Sequence, residues 1–183
     1  MKNKIFFLIV VMIVFSYDFS FAGWEAVIDG HRQDSDLKCL NSIKIGIDSE
    51  LNFKYTSPEP PPPDFNCNLF IINPSNSDSF SQYIYDENNE IYKWVIAINP
   101  RGNIGTPTSE TTTISWDPSK FGPGKFQLIE GLDENGTIVV KDMKKQSSFN
   151  VTGINTYLYY TIVYKQYNLF DIIRILQVLS GMK

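Results

Sequence analysis

The chain of 183 residues contains only one histidine and two cysteines. It also lacks a Gly-x-Ser-x-Gly element, a phosphate-binding loop and a dinucleotide-binding fingerprint. The single histidine, His31, cannot complete the common zinc ligand sets, and the acidic, polar stretch around it is typical of a surface loop. We therefore expect no metal site, no cofactor and no catalytic residues. One enzymatic alternative stays open, because two carboxylates at a suitable separation could hydrolyse a glycoside, and that separation cannot be read from the sequence. The carboxylates available for such a pair are Glu25, Asp29, Asp117, Glu130 and Asp133.

Concentrated positive charge is lacking as well. The chain has 16 basic and 20 acidic residues, and removing residues 1–22 would leave 14 basic residues against 19 acidic ones. The one basic cluster, Lys141, Lys144 and Lys145, is interrupted by Asp142 and is typical of a solvated turn. Binding to nucleic acid requires a basic face that neutralises phosphates, so we expect no nucleic-acid partner.

A long apolar run occurs only at the N-terminus. Lys2 and Lys4 precede an apolar stretch over residues 5–15, and Ser20-Phe21-Ala22 supplies small residues for a signal peptidase. We predict a signal peptide over residues 1–22, cleavage after Ala22 and a secreted or periplasmic protein without a transmembrane segment. An uncleaved N-terminal anchor is the alternative.

Export favours a disulfide between the two cysteines, Cys39 and Cys67. Closing that loop would stabilise the fold by about 3 to 4 kcal/mol. The loop contains "SPEPPPPDFN" at 57–66, which predicts a stiff polyproline II connection, with a Pro-rich ligand as the alternative.

Short segments rich in β-branched and aromatic residues, separated by Gly, Asn, Asp and Pro, predict strands. They are 24–28, 42–47, 68–72, 81–85, 92–98, 111–116, 125–130, 136–140, 147–152 and 156–165. In "YKWVIAI" at 92–98, residues of even number alternate onto one apolar face. "DENG" at 133–136 predicts a hairpin in which Gly136 takes a positive φ.

This spacing predicts an all-β, antiparallel β-sandwich with a single C-terminal amphipathic helix. The regions are an N-terminal β-rich part at 23–98, a linker or surface connection at 99–110, a second β region at 111–165 and the helix region at 166–183. Whether the two β regions form one sandwich or two is left open.

The second β region carries a resemblance to a known family. "TTTISWDPSKFGPGKFQLIEGLDENGTIVVKDMKKQSSFNVTG" and "YYTIVY" resemble fibronectin type III-like sandwich modules of exported bacterial proteins, over about 111 to 164. The resemblance implies the sandwich fold and no particular activity, since β-sandwiches share patterning without sharing activity.

The end of the chain, "LFDIIRILQVLSGMK", resembles the exit helix of a dockerin-type repeat, an EF-hand-related module. The calcium loop that precedes this helix in the family has no counterpart here, because only Asp171 matches a ligand position, so calcium binding is not implied. Asn168 is the predicted N-cap and Gly181 the predicted end of the helix. The apolar stripe consists of Leu169, Ile172, Ile173, Leu176 and Leu179.

Such a stripe has to be covered. It can pack against the sandwich of the same molecule, dock to an extracellular or periplasmic protein as dockerin helices do, or lie on a membrane surface. A polysaccharide is a further possible partner, since Trp24, Tyr157 and Tyr159 offer flat faces to sugar rings. Trp94 and Trp116 lie within apolar strand patterns and are predicted to be core residues. The sequence thus predicts an exported, non-catalytic binding or accessory module, with a carbohydrate-binding module as the alternative.

Overall fold

The computed structural model describes residues 23–33, 39, 42–48, 50, 55–58, 67–86, 89–100, 109–154, 156–167 and 169–179. The predicted signal peptide, the predicted N-cap Asn168 and the predicted helix end Gly181 lie outside these residues. The chain divides into two compact units, of which one is Gly23–Gln166 and the other contains the C-terminal helix.

The first unit is built of strands. They are β1 (Trp24–Arg32), β2 (Ile43–Ile47), β3 (Tyr55–Pro58), β4 (Asn68–Ile72), β5 (Ser79–Tyr85), β6 (Ile91–Asn99), β7 (Glu110–Trp116), β8 (Lys125–Glu130), β9 (Ile138–Val140), β10 (Ser148–Gly153) and β11 (Leu158–Lys165). A short 3-10 helix, Pro118–Lys120, follows β7, and α1 (Leu169–Leu179) is the one α-helix of the described residues. The predicted all-β fold with a C-terminal helix is confirmed.

All strands belong to one hydrogen-bonded sheet in the order β10-β7-β1-β2-β5-β4-β6-β11-β8-β9, with β3 on β5. Neighbouring strands are antiparallel except β2 and β5, which are parallel. Because β7 pairs with β1, and β11 pairs with β6, the strands before residue 100 form the middle of the sheet and the strands after it form both ends. The two β regions therefore form a single sandwich.

The sheet folds over at β5, whose two halves pair with different strands. Ser79 and Phe80 pair with β4, whereas residues 82–85 pair with β2. Phe80 and Gln82 also pair with β3, so β3 occupies one edge of β5 while β4 and β2 follow one another along the other edge. We call β10-β7-β1-β2 the first sheet and β4-β6-β11-β8-β9 the second sheet.

The core lies between these two sheets. Trp24 of the first sheet packs its ring 5.8 Å from that of Trp94 in the second, and Phe149 lies 5.7 Å from Tyr160. The predicted face of β6 points into this core, where Trp94 and Trp116 are both buried as expected. Alternation of apolar residues therefore decides which face of each strand points into the core.

The disulfide predicted from the sequence is present between Cys39 and Cys67, whose Cα atoms are 4.7 Å apart. The backbone N–H of Cys39 donates to the carbonyl oxygen of Gly30 in β1, and Cys67 directly precedes β4. The bridge thus joins the first sheet to the second. Both half-cystines are buried.

The structure bears on three local predictions. At the start of the predicted polyproline II segment, Ser57 and Pro58 belong to β3 instead, because Pro58 closes an edge strand at a bulge where its missing N–H is tolerated. The rest of that segment, 59–66, lies outside the described residues. His31 lies in β1 opposite Thr113 rather than in a surface loop, because β1 continues along β7.

Gly136 does not have a positive φ, whereas Gly131 does, at 114°. Gly136 is required for space, since a Cβ there would lie 1.7 Å from the carbonyl oxygen of Glu130.

Candidate functional site

An open cleft of about 470 Å³ lies on the outer face of the first sheet. Its walls come from outward positions of β1 and β2 and from the junction of β7 with the 3-10 helix, where the chain turns off the sheet. The lining residues are Glu25, Val27, Asp29, Lys44, Ser115, Trp116, Asp117 and Lys120. Three of the five carboxylates considered as a glycosidase pair thus meet in one recess.

Each of these three carboxylates already has a partner. Glu25 forms a salt bridge of 3.1 Å with Lys44 across neighbouring strands, and the hydroxyl of Ser42 donates to Asp29. Asp117 caps the 3-10 helix by accepting from the backbone N–H and the hydroxyl of Ser119, at 2.9 and 2.7 Å. These hydrogen bonds, with a smaller contribution from Lys120, hold the pKa of Asp117 below its usual value. Asp117 is therefore an ionised capping group, which does not fit the role of a proton donor.

The other two carboxylates lie away from the cleft. Glu130 ends β8 on the second sheet, and Asp133 accepts a hydrogen bond of 2.8 Å from the backbone N–H of Asn135 in the turn that follows. Within the described ranges, no three His, Cys, Asp or Glu side chains are grouped so that they could hold a metal ion.

The outer face of the second sheet carries an aromatic patch. Tyr159 of β11 lies opposite Ala97 of β6, which lies opposite Phe70 of β4. Phe70 also packs edge-on against Tyr157, with ring centroids 5.1 Å apart. Tyr159 is 38% exposed, whereas Tyr160, its neighbour on the other face, is buried. Two of the three aromatics considered for glycan stacking therefore lie in one patch, which we define as Phe70, Tyr157 and Tyr159.

The third aromatic, Trp24, is placed elsewhere. Its ring packs against Trp94, Phe126 and Tyr164, with centroids between 5.0 and 5.8 Å apart, so it belongs to the aromatic centre of the sandwich. A Cβ on Gly122 would come within 2.3 Å of this ring, which shows how closely the indole is enclosed. Trp24 is not part of the aromatic patch.

Two asparagines follow on the same outer face. Asn68 of β4 lies opposite Asn99 of β6, and both are fully buried. Since Leu69 and Ile98 point into the core, alternation places both asparagines on the face that carries Phe70. The Asn68 side chain is buried, and in the described part of the chain neither its oxygen nor its nitrogen has a hydrogen-bond partner. The sequence analysis did not identify these two asparagines, although Asn68 lies two residues before Phe70 and was therefore expected on the same face of the strand.

A short loop covers part of the same face. Residues 131–137 connect β8 to β9, and Glu134 in this loop forms a salt bridge of 2.5 Å with Lys93 of β6. Because β11 lies between β6 and β8, this ion pair holds the loop across the outside of β11. The hydroxyl of Thr161 in β11 donates to the carbonyl oxygen of Gly131 at 2.9 Å, and Thr161 is fully buried. The Lys93 ammonium is the largest cause that holds the pKa of Glu134 below its usual value.

The described side chains of α1 expose an apolar surface that contains Leu179 of the predicted stripe together with Ile175 and Val178, which flank it. Ile172, Ile173 and Leu176 of that stripe are partly buried, and the side chain of Leu169 lies outside the description. Leu179 is 79% exposed, and Val178 and Ile175 are 73% and 45% exposed. Positions 175, 178 and 179 are spaced so that they share one helix face.

In the part of the chain that the structure describes, no helix is both long and apolar enough to cross a membrane. Comparison with protein-family models, curated proteins and solved structures finds no match to this chain. The resemblance to fibronectin type III-like modules and to a dockerin exit helix stays a prediction.

Proposed function

We propose that this protein is an exported, non-catalytic binding or accessory module, and that α1 docks it to another protein. The observation that carries the proposal is the exposed apolar face of Ile175, Val178 and Leu179. Anchors spaced at i, i+3 and i+4 are the pattern by which an amphipathic helix occupies a hydrophobic groove. Large apolar side chains left in water favour association, because burying each of them fully is worth about 1.5 to 3 kcal/mol.

The charge of α1 favours a protein partner over a lipid surface. Helices that lie on membranes are usually rich in Lys and Arg, whereas the described part of α1 has Arg174 as a base and Asp171 as an acid. The remaining polar residue, Gln177, is neutral. An apolar groove in a partner protein therefore fits this helix better than an anionic membrane.

Export is supported by the disulfide, since disulfides persist in oxidising compartments and are rare in the cytosol. A non-catalytic role is supported by the cleft of the first sheet, where Glu25, Asp29 and Asp117 are each engaged by Lys44, Ser42 or Ser119. A second candidate function is carbohydrate binding, which the exposure of Tyr159 beside Tyr157 favours.

The helix proposal is tested with the double variant Val178→Asp, Leu179→Asp in the protein of residues 23–183. The matched control is Ile91→Asp, which places a carboxylate on an exposed apolar position of β6, opposite Lys165. Binding partners captured from the native host are identified, and the affinity of each purified partner is then measured by calorimetry. We expect one partner to bind the wild type and the control alike and to bind the double variant at least about tenfold more weakly, equivalent to 1.4 kcal/mol.

The melting temperature gives the second readout. An exposed docking face predicts a melting temperature for the double variant within about 2 °C of the wild type, because surface changes cost little stability. A large fall would show that the face is covered by the chain itself, and equal affinities of the variant and the wild type for every partner would exclude α1 as the docking element. Binding of the wild type to phosphatidylglycerol vesicles that the double variant loses would assign the helix to a membrane and would also overturn the proposal.

A further inference from the structure

The side chain of Asn68 is the most unusual polar group among the described residues. A primary amide offers two donors and one acceptor oxygen, and neither Oδ1 nor Nδ2 of Asn68, both of them buried, has a hydrogen-bond partner among the described residues. Native proteins satisfy nearly all buried polar groups, because an unpaired one loses its hydration and gains nothing in return. An unsatisfied amide on an outer face is therefore expected to have a partner beyond the described residues.

The surroundings of Asn68 restrict what that partner can be. The aromatic patch of Phe70, Tyr157 and Tyr159 begins two positions along β4 on the same face. Ala97 of β6 lies between Phe70 and Tyr159 in the register and is fully buried, so a small residue separates the rings of the two strands that flank β6. A ligand of this surface meets aromatic faces on one side and a hydrogen-bonding amide on the other.

The two rows of paired residues, Asn68–Asn99 and Phe70–Ala97–Tyr159, contain no charged side chain. A neutral ligand therefore matches them better than an ionic one, since a buried charge would need a counter-charge. It needs apolar C–H surface for the rings and hydroxyl groups for the amide. A pyranose ring offers C–H groups on its faces and hydroxyl groups around its edge.

We propose that the outer face of the second sheet binds a neutral saccharide, with Tyr159 and Tyr157 stacking on the sugar ring and the Asn68 amide bonding its hydroxyls. This site deepens the second candidate function, carbohydrate binding, and is independent of α1. The Asn68 amide is covered in the free protein, so binding includes a local rearrangement. Association is accordingly slower than for a fully preformed site.

The test uses the protein of residues 23–183 and four neutral probes: maltohexaose, cellohexaose, chitohexaose and xylohexaose. We expect at least one to bind in calorimetry with a Kd tighter than about 1 mM. Tyr159→Ala should weaken that binding about tenfold or more, because it removes the exposed ring of the patch. Val27→Ala, which truncates an exposed apolar residue on the outer face of the first sheet, is the control and should bind like the wild type.

Asn68→Leu separates a ligand-binding amide from a merely unsatisfied one. In either case the variant should melt at or above the wild-type temperature, because an apolar side chain carries no desolvation cost. If the amide binds the ligand, this stable variant should also lose about fivefold or more of its saccharide affinity, whereas an amide that is only unsatisfied predicts no loss. Binding that persists unchanged in Asn68→Leu and Tyr159→Ala would overturn the site but leave carbohydrate binding in place. The absence of binding to all four probes by the wild type would overturn both.

Discussion

The disulfide gives the most quantitative prediction, through the double variant Cys39→Ala, Cys67→Ala. The two cysteines are separated by 28 positions in the sequence. In the chain-entropy treatment, releasing a loop of that length restores about 12 cal/mol/K to the unfolded chain, which lowers the free energy of unfolding by about 3.6 kcal/mol at 25 °C. Alanine is chosen because the half-cystines are buried, where a serine hydroxyl would need a partner.

The unfolding of this variant is best followed by tryptophan fluorescence in urea, since Trp94 and Trp116 are both buried in the core. With an m-value of about 2 kcal/mol per molar urea, the midpoint should fall by nearly 2 M. The melting temperature should fall by about 10 to 15 °C for a unit of this size. Wild-type protein that is reduced while unfolded and then refolded under reducing conditions should behave like the variant.

A midpoint that moves by less than about 0.5 M would refute this reasoning, because the bridge would then restrict little of the unfolded chain. In the folded protein the bridge joins the two sheets. Cys39 is held beside β1 by its hydrogen bond to Gly30, whereas Cys67 opens β4 in the opposite sheet, so the bridge spans the two layers.

Two further predictions concern the second sheet. Thr161→Val keeps the volume but removes the hydrogen bond to Gly131, which leaves the carbonyl oxygen of Gly131 with one partner fewer. The free energy of unfolding in urea titrations should therefore fall by about 1 kcal/mol, and no fall would contradict the role of Thr161 in holding the loop. Burial, and to a lesser degree Glu130, raises the pKa of the Tyr160 hydroxyl. The contribution of Tyr160 to stability is therefore present below its unfolded pKa of about 10 and is lost as the pH rises through the folded value. Tyr160→Phe should therefore lose less stability than the wild type between about pH 9 and 11, and parallel curves would contradict this.

Much of the local structure could be predicted from the sequence. Alternation in "NLFII" and "KFQLIE" predicted β4 and β8 with the bounds that the structure has, because one core face and a period of two leave little freedom. The disulfide followed from having only two cysteines, and the presence of α1 followed from its periodicity. These features depend on near neighbours in the chain, whose relationship is visible in the sequence itself.

Predictions about individual glycines were less reliable. Both Gly131 and Gly136 border the turn after β8, but only Gly131 takes a positive φ, while Gly136 is needed because the carbonyl oxygen of Glu130 approaches it. The hairpin motif alone does not show whether a glycine is needed for its positive φ or because a side chain would not fit. That distinction depends on the path by which the chain returns to β9.

The sequence by itself determined most of the strands, the pairing of Cys39 with Cys67 and the apolar character of the last helix, since each depends on side-chain type and local period. Only the tertiary structure decided which residues meet on each outer face of the sandwich. The change of strand partners at β5 sets the order of the sheet, and that order brings Asn68 opposite Asn99 and aligns Phe70 with Tyr159. Pairing between strands distant in the chain is governed by the packing of the whole core, and no local pattern encodes it.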